Sequence, residues 1–299
     1  MMNRFRIALG SYQRELDKGW GYATAWFVRR FYYRFVKRHF CGRERFQAED
    51  RNRSITVIVP AVEKDAPVLT HCLRSIREMI QHQLVEVWVV APESTIIRQL
   101  AAAENCKFVL ENTILPRPTQ ELKCRGWVLQ QFIKFNAANF VTTDNYLVVD
   151  ADTVFLRPQS FFRDGKAVLR YSDQYELLYN RSLELVFGSL RRFPVSFVTH
   201  HMLLNVALVK ELLQLIERRF KCPWWEAILK KVDQGHPISF SEYELYGHFV
   251  MTQPHWKKNF CLEYWHGLDR STEQLKELEA VRQAAAGNLN TASFHWHTQ

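Results

Sequence analysis

The sequence predicts an α/β protein with a doubly wound sheet flanked by helices, and two observations support this fold class. Strand-like and helix-like segments alternate from residue 54 onward, at a spacing typical of parallel strands joined by right-handed crossovers. The chain is 47% hydrophobic and 14% aromatic, so it can bury a sizeable core. Its 299 residues are enough for one large domain of this class or two small ones.

The alternation can be followed along the chain. The predicted elements are strand Ile55–Pro60, helix Pro67–Gln81, strand Val85–Val90, helix Thr95–Glu104, strand Lys107–Leu110, helix Arg125–Ala138 and strand Leu147–Val149. No glycine occurs in Pro60–Asp65, directly after the first strand. This absence counts against a dinucleotide-binding Rossmann domain and against a P-loop NTPase, because both need a glycine-rich phosphate loop there.

Asp150 and Asp152 follow the last of these strands, with only Ala151 between them. Two carboxylates so close repel each other unless a cation lies beside them, and a hard divalent ion with oxygen ligands resolves the repulsion. The carboxyl ends of strands are also where open α/β sheets bind ligands. The segment therefore predicts a metal and phosphate site. The alternative is a strand followed by an Asp-rich turn.

The composition argues against several other classes of protein. No stretch approaches 18 consecutive apolar residues, so no transmembrane helix is expected, and the first residues do not form a signal peptide. The six cysteines show no Cys-x-x-Cys spacing. Their scatter argues against a zinc site and a disulfide framework, and it is typical of a protein in a reducing cytoplasm.

Residues 1–53 carry most of the net charge. They hold thirteen Lys and Arg against five Asp and Glu, a net of +8 out of +9 for the chain, together with twelve aromatic residues. A helix predicted over residues 26–38 would place cations among aromatic rings, as in helices that lie on anionic membranes. We therefore predict a membrane-association segment at 1–53 and a catalytic domain at 54–299. A helix that packs on that domain is the alternative, and no nucleic-acid contact is expected because no recognised nucleic-acid module accompanies the segment.

Several segments resemble GT-A-fold glycosyltransferases, in particular a poorly characterised bacterial family associated with surface-polysaccharide assembly. The resemblance is carried by Ile55–Ala61, Val85–Ala91, Gly126–Lys134, Val148–Asp152, Thr199–Met202 and Ser241–Gly247. It covers residues 54–297 and implies a GT-A-like mixed sheet. It also implies a nucleotide-sugar half at 54–158 and an acceptor half at 159–299.

The resemblance implies a Mn²⁺ or Mg²⁺ ion that acts as a Lewis acid on the departing diphosphate of a UDP- or GDP-linked sugar. Asp152 would bind the metal directly, whereas Asp150 would contact the ribose or hold a metal-bound water, with Ala151 beside the donor. Such enzymes often take a further ligand from a late histidine. His295 is preferred here over His297, and the alternative for both is a frayed, solvated tail.

The exit of the first strand would hold the nucleotide. Pro60, Ala61 and Val62 would line the base with backbone groups. Glu63 or Asp65 would accept hydrogen bonds from the base or the ribose. The alternative is an ordinary strand-to-helix loop.

Two further segments would face the cleft. Trp127, Gln131 and Lys134 can share one helix face, from which Lys134 would neutralise diphosphate charge and Trp127 would stack. The alternatives are a solvated lysine and a packed tryptophan. His200 and His201 are adjacent on an apolar strand, so at most one faces the cleft and the other is structural.

An inverting transferase needs a carboxylate that deprotonates the acceptor hydroxyl. Ser241 and Glu244 form the pattern of a capping box at the start of a helix predicted over Glu242–Met251. A role in the capping box accounts for the presence of Glu244, so Glu242 is the carboxylate left as the candidate general base. The competing candidates are Asp173, Asp233 and Glu263.

The sequence is therefore interpreted as a metal-dependent glycosyltransferase on the cytoplasmic, inner face of the cell membrane. It would move a sugar from a nucleotide sugar to a glycan or lipid-linked acceptor in cell-surface polysaccharide synthesis. One alternative is a nucleotidyltransferase, which normally has a glycine-rich basic loop after its first strand. The other is a non-catalytic membrane-associated scaffold of the same fold, against which the intact Asp-x-Asp motif argues.

Overall fold

A computed structural model of the chain describes residues 20–32, 48–172, 179, 183, 187, 195–231, 240–284 and 289–296. The chain divides into two compact units, residues 1–45 with 173–175 and residues 46–172 with 176–299. In the first unit the described residues form helix α1 (Trp20–Phe31) and Tyr32, and residues 33–38 of the predicted helix lie outside them. No helix in these ranges is long and apolar enough to cross a membrane.

The second unit contains the predicted α/β domain. Its first half consists of α2 (Ala48–Arg51), β1 (Ser54–Pro60), α3 (Ala66–Met79), β2 (Gln83–Ala91), α4 (Thr95–Ala103), β3 (Lys107–Leu110), α5 (Glu111–Ile114), α6 (Thr119–Leu122), α7 (Gly126–Asn136), β4 (Asn145–Val149) and β5 (Thr153–Phe155). Its second half consists of β6 (Phe162–Arg163), β7 (Lys166–Tyr171), β8 (His201–Asn205), α8 (Val206–Phe220), α9 (Trp224–Lys231), α10 (Glu242–Thr252), α11 (Trp256–Asn259), β9 (Phe260–Tyr264), β10 (Gly267–Ser271), α12 (Leu278–Ala284) and β11 (Thr291–His295). Short 3₁₀ turns form at Glu63–Asp65, Ala137–Asn139 and Thr272–Glu277.

A five-stranded sheet with strand order β3-β2-β1-β4-β8 forms the centre of this unit. β1 pairs in parallel with β2 and β4, and β2 with β3, whereas β8 runs antiparallel to β4. The prediction of an α/β fold with a mixed, parallel-rich sheet flanked by helices is therefore confirmed. The seven elements predicted between residues 54 and 149 and the helix predicted over Glu242–Met251 are present, with boundaries that differ by at most two residues, whereas β8 begins at His201 and leaves His200 outside the strand.

Two three-stranded sheets, ordered β10-β11-β5 and β6-β7-β9, complete the unit. β11 pairs antiparallel with β5, the strand that follows Asp152, and in parallel with β10. In this register Ser293 lies opposite both Thr153 and Asp269. The pairing brings two late segments of the chain beside the Asp-x-Asp turn. A core of buried apolar side chains packs beneath it, including Val68, Val154 and Phe294.

Residues before position 54 also belong to the second unit. The Asp50 carboxylate is 3% exposed and accepts hydrogen bonds from the backbone N–H groups of Asp164 (3.0 Å) and Gly165 (3.1 Å). The predicted boundary at residue 53 is therefore too late by several residues. The charge asymmetry is unaffected, because residues 1–45 alone hold eleven Lys and Arg against three Asp and Glu.

His82 joins this region to the domain as a neutral imidazole. Its Nδ1 lies 3.0 Å from the carbonyl oxygen of Asp50, and its Nε2 accepts the backbone N–H of Phe161 over 2.8 Å. Because Nε2 is an acceptor, a second proton there would break the bond to Phe161. Burial lowers the pKa of His82 from 6.5 to about 4.

We expect the domain to lose stability as the pH falls from 6.5 towards 4. The unfolded chain binds the proton on His82 in this window and the folded chain does not, so the stability is complete above pH 6.5 and declines by about 3 kcal/mol in total. Urea denaturation of the wild type and His82→Gln at about pH 7 and about pH 5 measures the difference. A glutamine side chain does not titrate, so equal losses in both proteins would contradict the assignment.

Candidate active site

The candidate site lies at the edge of the central sheet where β4 ends and β8 begins. Because β8 is antiparallel to β4, His200 enters β8 at the same edge where Asp150 leaves β4. The Asp150 backbone N–H donates to the carbonyl of His200 over 2.9 Å, and the N–H of Thr153 closes a turn onto the carbonyl of Asp150 over 3.0 Å. An Asp-rich turn therefore does follow the strand, and this turn presents both carboxylates.

Lys134 lies at the centre of a buried network. Its side chain is 2% exposed, and its ammonium donates to Asp150 Oδ1 over 2.5 Å and to Glu242 Oε1 over 2.6 Å. The Tyr243 hydroxyl accepts from Lys134 over 3.2 Å and donates to Asp150 Oδ1 over 3.0 Å. The solvated-lysine alternative is therefore wrong, and α7 and α10 are joined through a single ammonium.

The network sets the charges of its members. Burial opposes the charge on Lys134, but Asp150 and Glu242 outweigh it and raise its pKa. Burial likewise opposes ionisation of Asp150, but Lys134 and His200 hold its pKa well below the usual range. Burial raises the pKa of Glu242 despite the nearby Lys134. Lys134 and Asp150 are therefore a stable ion pair.

The predicted shared face of α7 is confirmed. Trp127 Nε1 donates to the carbonyl of Phe240 over 2.9 Å. The side-chain amide of Gln131, with its nitrogen turned towards the Glu242 carboxylate, donates to Glu242 Oε1 over 3.0 Å. With Lys134, this face is turned towards the start of α10. Trp127 remains 37% exposed. Contacts of this face with diphosphate or base stay predictions.

The predicted base Glu242 is only 1% exposed, and its carboxylate is held by Lys134 and Gln131. A carboxylate that is buried and already paired is poorly placed to take a proton from an acceptor hydroxyl, so the placement argues against the general-base role. The capping box is half formed. Ser241 Oγ accepts the N–H of Glu244 over 3.3 Å, whereas the Glu244 carboxylate accepts from Ser196 Oγ over 2.7 Å.

The other carboxylates predicted as candidates for the general base are Glu263, Asp173 and Asp233. Glu263 pairs with Arg170 over 3.0 Å and also with Arg163, so its carboxylate is committed to two guanidinium groups. Asp173 and Asp233 lie outside the described residues, as does His297.

A second cluster lies on the other side of the Asp-rich turn. His295 Nδ1 is 2.8 Å from Asp152 Oδ2, and His295 Nε2 is 3.4 Å from Asp269 Oδ1. His200 Nδ1 is 3.3 Å from Asp150 Oδ2, and His200 Nε2 is 3.6 Å from Asp269 Oδ1. Asp152 and His295 are therefore in direct contact, and the metal-ligand roles predicted for them stay predictions. His200 and Asp269 join them.

The donor set of this cluster fits a divalent cation. One ligand atom from each of His200, Asp269 and His295 can be chosen so that all three lie within 4.8 Å of one another. Burial lowers the pKa of His295, but its hydrogen bonds to Asp152 and Asp269 outweigh burial and raise the pKa to about 10. The surrounding carboxylates thus favour positive charge at this position, which is the property a cation site needs.

His200 and His201 point in opposite directions, as predicted. His201 is fully buried, packs edge-on against Phe155 and Phe161, and lies 3.2 Å from Arg170, so it is the structural histidine of the pair. His200 has a backbone φ of 60°. Non-glycine residues adopt this left-handed conformation rarely, and such positions cluster at functional sites.

The exit of β1 folds back on itself. Pro60 and Ala61 are buried, and Asp65 Oδ2 accepts the N–H of Val62 over 2.9 Å. Burial raises the pKa of Asp65 to about 6, and the charges of the Asp-rich turn add to the shift. Glu63 accepts from Ser94 Oγ over 2.7 Å. Nucleotide contacts of these residues stay predictions, although the loop does lie near the turn.

Comparison with known protein families identifies the family of this chain. A family model described as a family of unknown function, DUF6492, matches residues 52–286. The chain belongs to the DUF6492 family. No curated protein matches this DUF6492 member.

Solved structures similar to this DUF6492 protein share little of its sequence. A mycobacterial protein is 18% identical with a TM-score of 0.41, and the match covers 56% of this chain and 59% of that one. Glucosyl-3-phosphoglycerate synthase from Mycobacterium tuberculosis, in complex with Mn²⁺, UDP and phosphoglyceric acid, is 16% identical with a TM-score of 0.38, covering 56% of this chain and 62% of that one. The same enzyme with Mn²⁺, UDP and glucosyl-3-phosphoglycerate is 15% identical with a TM-score of 0.43, covering 81% and 82%.

Asp269 and Tyr243 were not predicted as residues of this site, and His200 was predicted only as one of two histidines of which at most one faces the cleft. Asp269 lies on β10, which carries no strong strand pattern, and nothing near it indicates a site. Tyr243 lies inside the Ser-Glu-Tyr-Glu segment that resembles the glycosyltransferases, and His200 inside the Thr-His-His segment. The resemblance therefore contained the signal for two of the three, whereas Asp269 needed the structure.

Proposed function

We propose that this DUF6492 protein is a metal-dependent glycosyltransferase that uses a nucleotide sugar. The observation that carries the proposal is the convergence of Asp150, Asp152 and Asp269 with two imidazoles at the carboxyl edge of a parallel-rich sheet. Open α/β sheets bind ligands at this edge, and a cation held by such a cluster has room for the oxygens of a diphosphate.

Different residues of the chain would have different roles in the transfer reaction. A bound Mn²⁺ or Mg²⁺ ion would supply a Lewis acid for the departing diphosphate. The loop from Pro60 to Asp65, next to the turn, would orient the nucleotide of a UDP- or GDP-linked donor. The Lys134 network would keep Asp150 ionised and fixed in position. The sugar acceptor would be a glycan or a lipid-linked glycan of the cell surface.

A cation-dependent thermal shift tests the proposal. UDP- or GDP-sugars should raise the melting temperature only when Mn²⁺ is present, because a ligand that binds the native state alone stabilises it by about 2.7 kcal/mol at about 100 times its Kd. Asp152→Asn should lose the Mn²⁺-dependent part of the shift. The exposed substitution Glu93→Gln, on the loop after β2, is the matched control and should keep it.

Two results would refute the proposal. One is the absence of any nucleotide-sugar shift with every cation tried, which would favour a non-catalytic scaffold. The other is an equal shift with and without cations, because the carboxylate cluster would then have no part in binding the diphosphate.

We further propose that residues 1–45 attach the protein to an anionic membrane surface. Their net charge of +8 and their aromatic content support this role. In α1, Trp20 is 73% exposed and Phe31 is 45% exposed, and rings in this position can enter the headgroup region of a bilayer.

A further inference from the structure

The two histidines of the candidate site turn the same ring nitrogen towards the same carboxylate. His295 Nε2 and His200 Nε2 lie 3.4 Å and 3.6 Å from Asp269 Oδ1. The ring centroids of the two histidines are 5.0 Å apart. A point between these three atoms therefore faces two imidazole nitrogens and one carboxylate oxygen.

The opposite nitrogen of each ring contacts one aspartate of the Asp-x-Asp turn. His295 Nδ1 is 2.8 Å from Asp152 Oδ2, and His200 Nδ1 is 3.3 Å from Asp150 Oδ2. Histidines that bind metals commonly donate their other N–H to a carboxylate, which fixes the tautomer and orients the ring. Both rings here have that arrangement, with Nε2 directed away from the turn.

We infer that the cation is bound directly by His200 Nε2, His295 Nε2 and Asp269, while Asp150 and Asp152 position the two imidazoles. The inference deepens the proposed site, but it concerns the metal alone and does not need a sugar nucleotide. It reverses the roles expected from the sequence, in which Asp152 is a direct ligand.

The partners of Asp150 support this division. Its Oδ1 accepts from Lys134 over 2.5 Å and from Tyr243 over 3.0 Å, and its Oδ2 faces His200. A cation at Asp150 would have to approach the Lys134 ammonium, which repels it. Asp269, in contrast, is 63% exposed and stands on the solvent side of both rings.

The donor set also indicates the class of metal. Two imidazoles and one carboxylate form the two-histidine, one-carboxylate triad that transition ions occupy with open positions, whereas Mg²⁺ prefers oxygen ligands. We expect Co²⁺ to bind more tightly than Mn²⁺, and Mg²⁺ at least about tenfold more weakly than Mn²⁺. The open positions would receive the diphosphate oxygens of the proposed donor.

Titration of the full chain with Mn²⁺ alone tests the inference. Electron spin-echo envelope modulation of the bound Mn²⁺ should show coupling to two imidazole ¹⁴N nuclei. His200→Gln and His295→Gln should each remove one coupling and weaken Mn²⁺ binding about tenfold or more. Asp152→Asn should weaken it by about 10–100-fold and keep both couplings, as expected for a positioning residue. His71→Gln, a histidine on α3, is the matched control and should change neither quantity.

The wild-type spectrum decides the inference even if a variant fails to fold. Bound Mn²⁺ without ¹⁴N coupling would overturn it, because the ligands would then be oxygens. No Mn²⁺ binding at all would overturn it as well. Two couplings in a protein that shows no nucleotide-sugar shift would uphold it and refute the proposed function instead.

Discussion

Lys134→Met should lower the free energy of unfolding by about 3–5 kcal/mol, because breaking a buried ion pair leaves its partner charge uncompensated. The Lys134 ammonium is 2% exposed and is the ion-pair partner of Glu242, which is itself 1% exposed. Removing it would leave a carboxylate with no access to water and would also release Asp150. Urea denaturation of the variant and the wild type measures the loss.

Two further variants separate the ion pair from the loss of a lysine in general. Lys210→Met, at an exposed position on α8, should change the free energy of unfolding by no more than about 0.5 kcal/mol. Adding Glu242→Gln to Lys134→Met removes the stranded charge and should restore part of the stability, as expected for coupled neighbours. A Lys134→Met protein as stable as the wild type would show that the network does not hold α7 and α10 together.

Deletion of residues 1–45 should abolish binding to vesicles that contain anionic lipid. The segment carries eleven Lys and Arg against three Asp and Glu, and each cation near an anionic surface contributes about 1 kcal/mol. Losing a net charge of +8 should therefore lower the partition coefficient by several orders of magnitude. Co-sedimentation of both proteins with anionic and with neutral vesicles measures this effect.

Salt and a full-length variant provide the controls. Rising salt should release most but not all of the full-length protein, because screening weakens the charges while the exposed rings of α1 do not depend on salt. Arg29→Glu with Arg30→Glu should weaken binding without shortening the chain. Equal sedimentation of the truncated and full-length proteins would refute the membrane proposal. A truncated chain that does not fold would indicate that the aromatic residues belong to a core.

The sequence predicted well what is encoded locally. β1, β3 and α7 could be placed because apolar residues within ten or fifteen positions repeat with the period of a strand or a helix. The Asp-x-Asp turn was recognisable for the same reason, since a buried strand immediately precedes it. The start of α10 was placed by the cap at Ser241, which also acts over a few residues.

The features that the sequence did not reveal depend on contacts between segments that lie far apart in the chain. β5 has only three residues and β10 carries no strong strand pattern, and only their pairing with β11 places Asp269 beside His295. The burial of Lys134 is a similar case. Lysine side chains are rarely buried without a partner, and the carboxylate that makes this one stable lies 108 positions away along the chain.

The pairing of β5 with β11 has a consequence for how the protein is made. The hydroxyls of Thr153 and Ser293 lie 3.0 Å apart across 140 positions of chain. At synthesis rates of about 5–20 residues per second, β5 leaves the ribosome roughly 7–28 seconds before its partner strand exists. During that interval its edge is unpaired and open to other chains. A nascent chain therefore carries both aspartates of the turn before it has the histidine that completes the site.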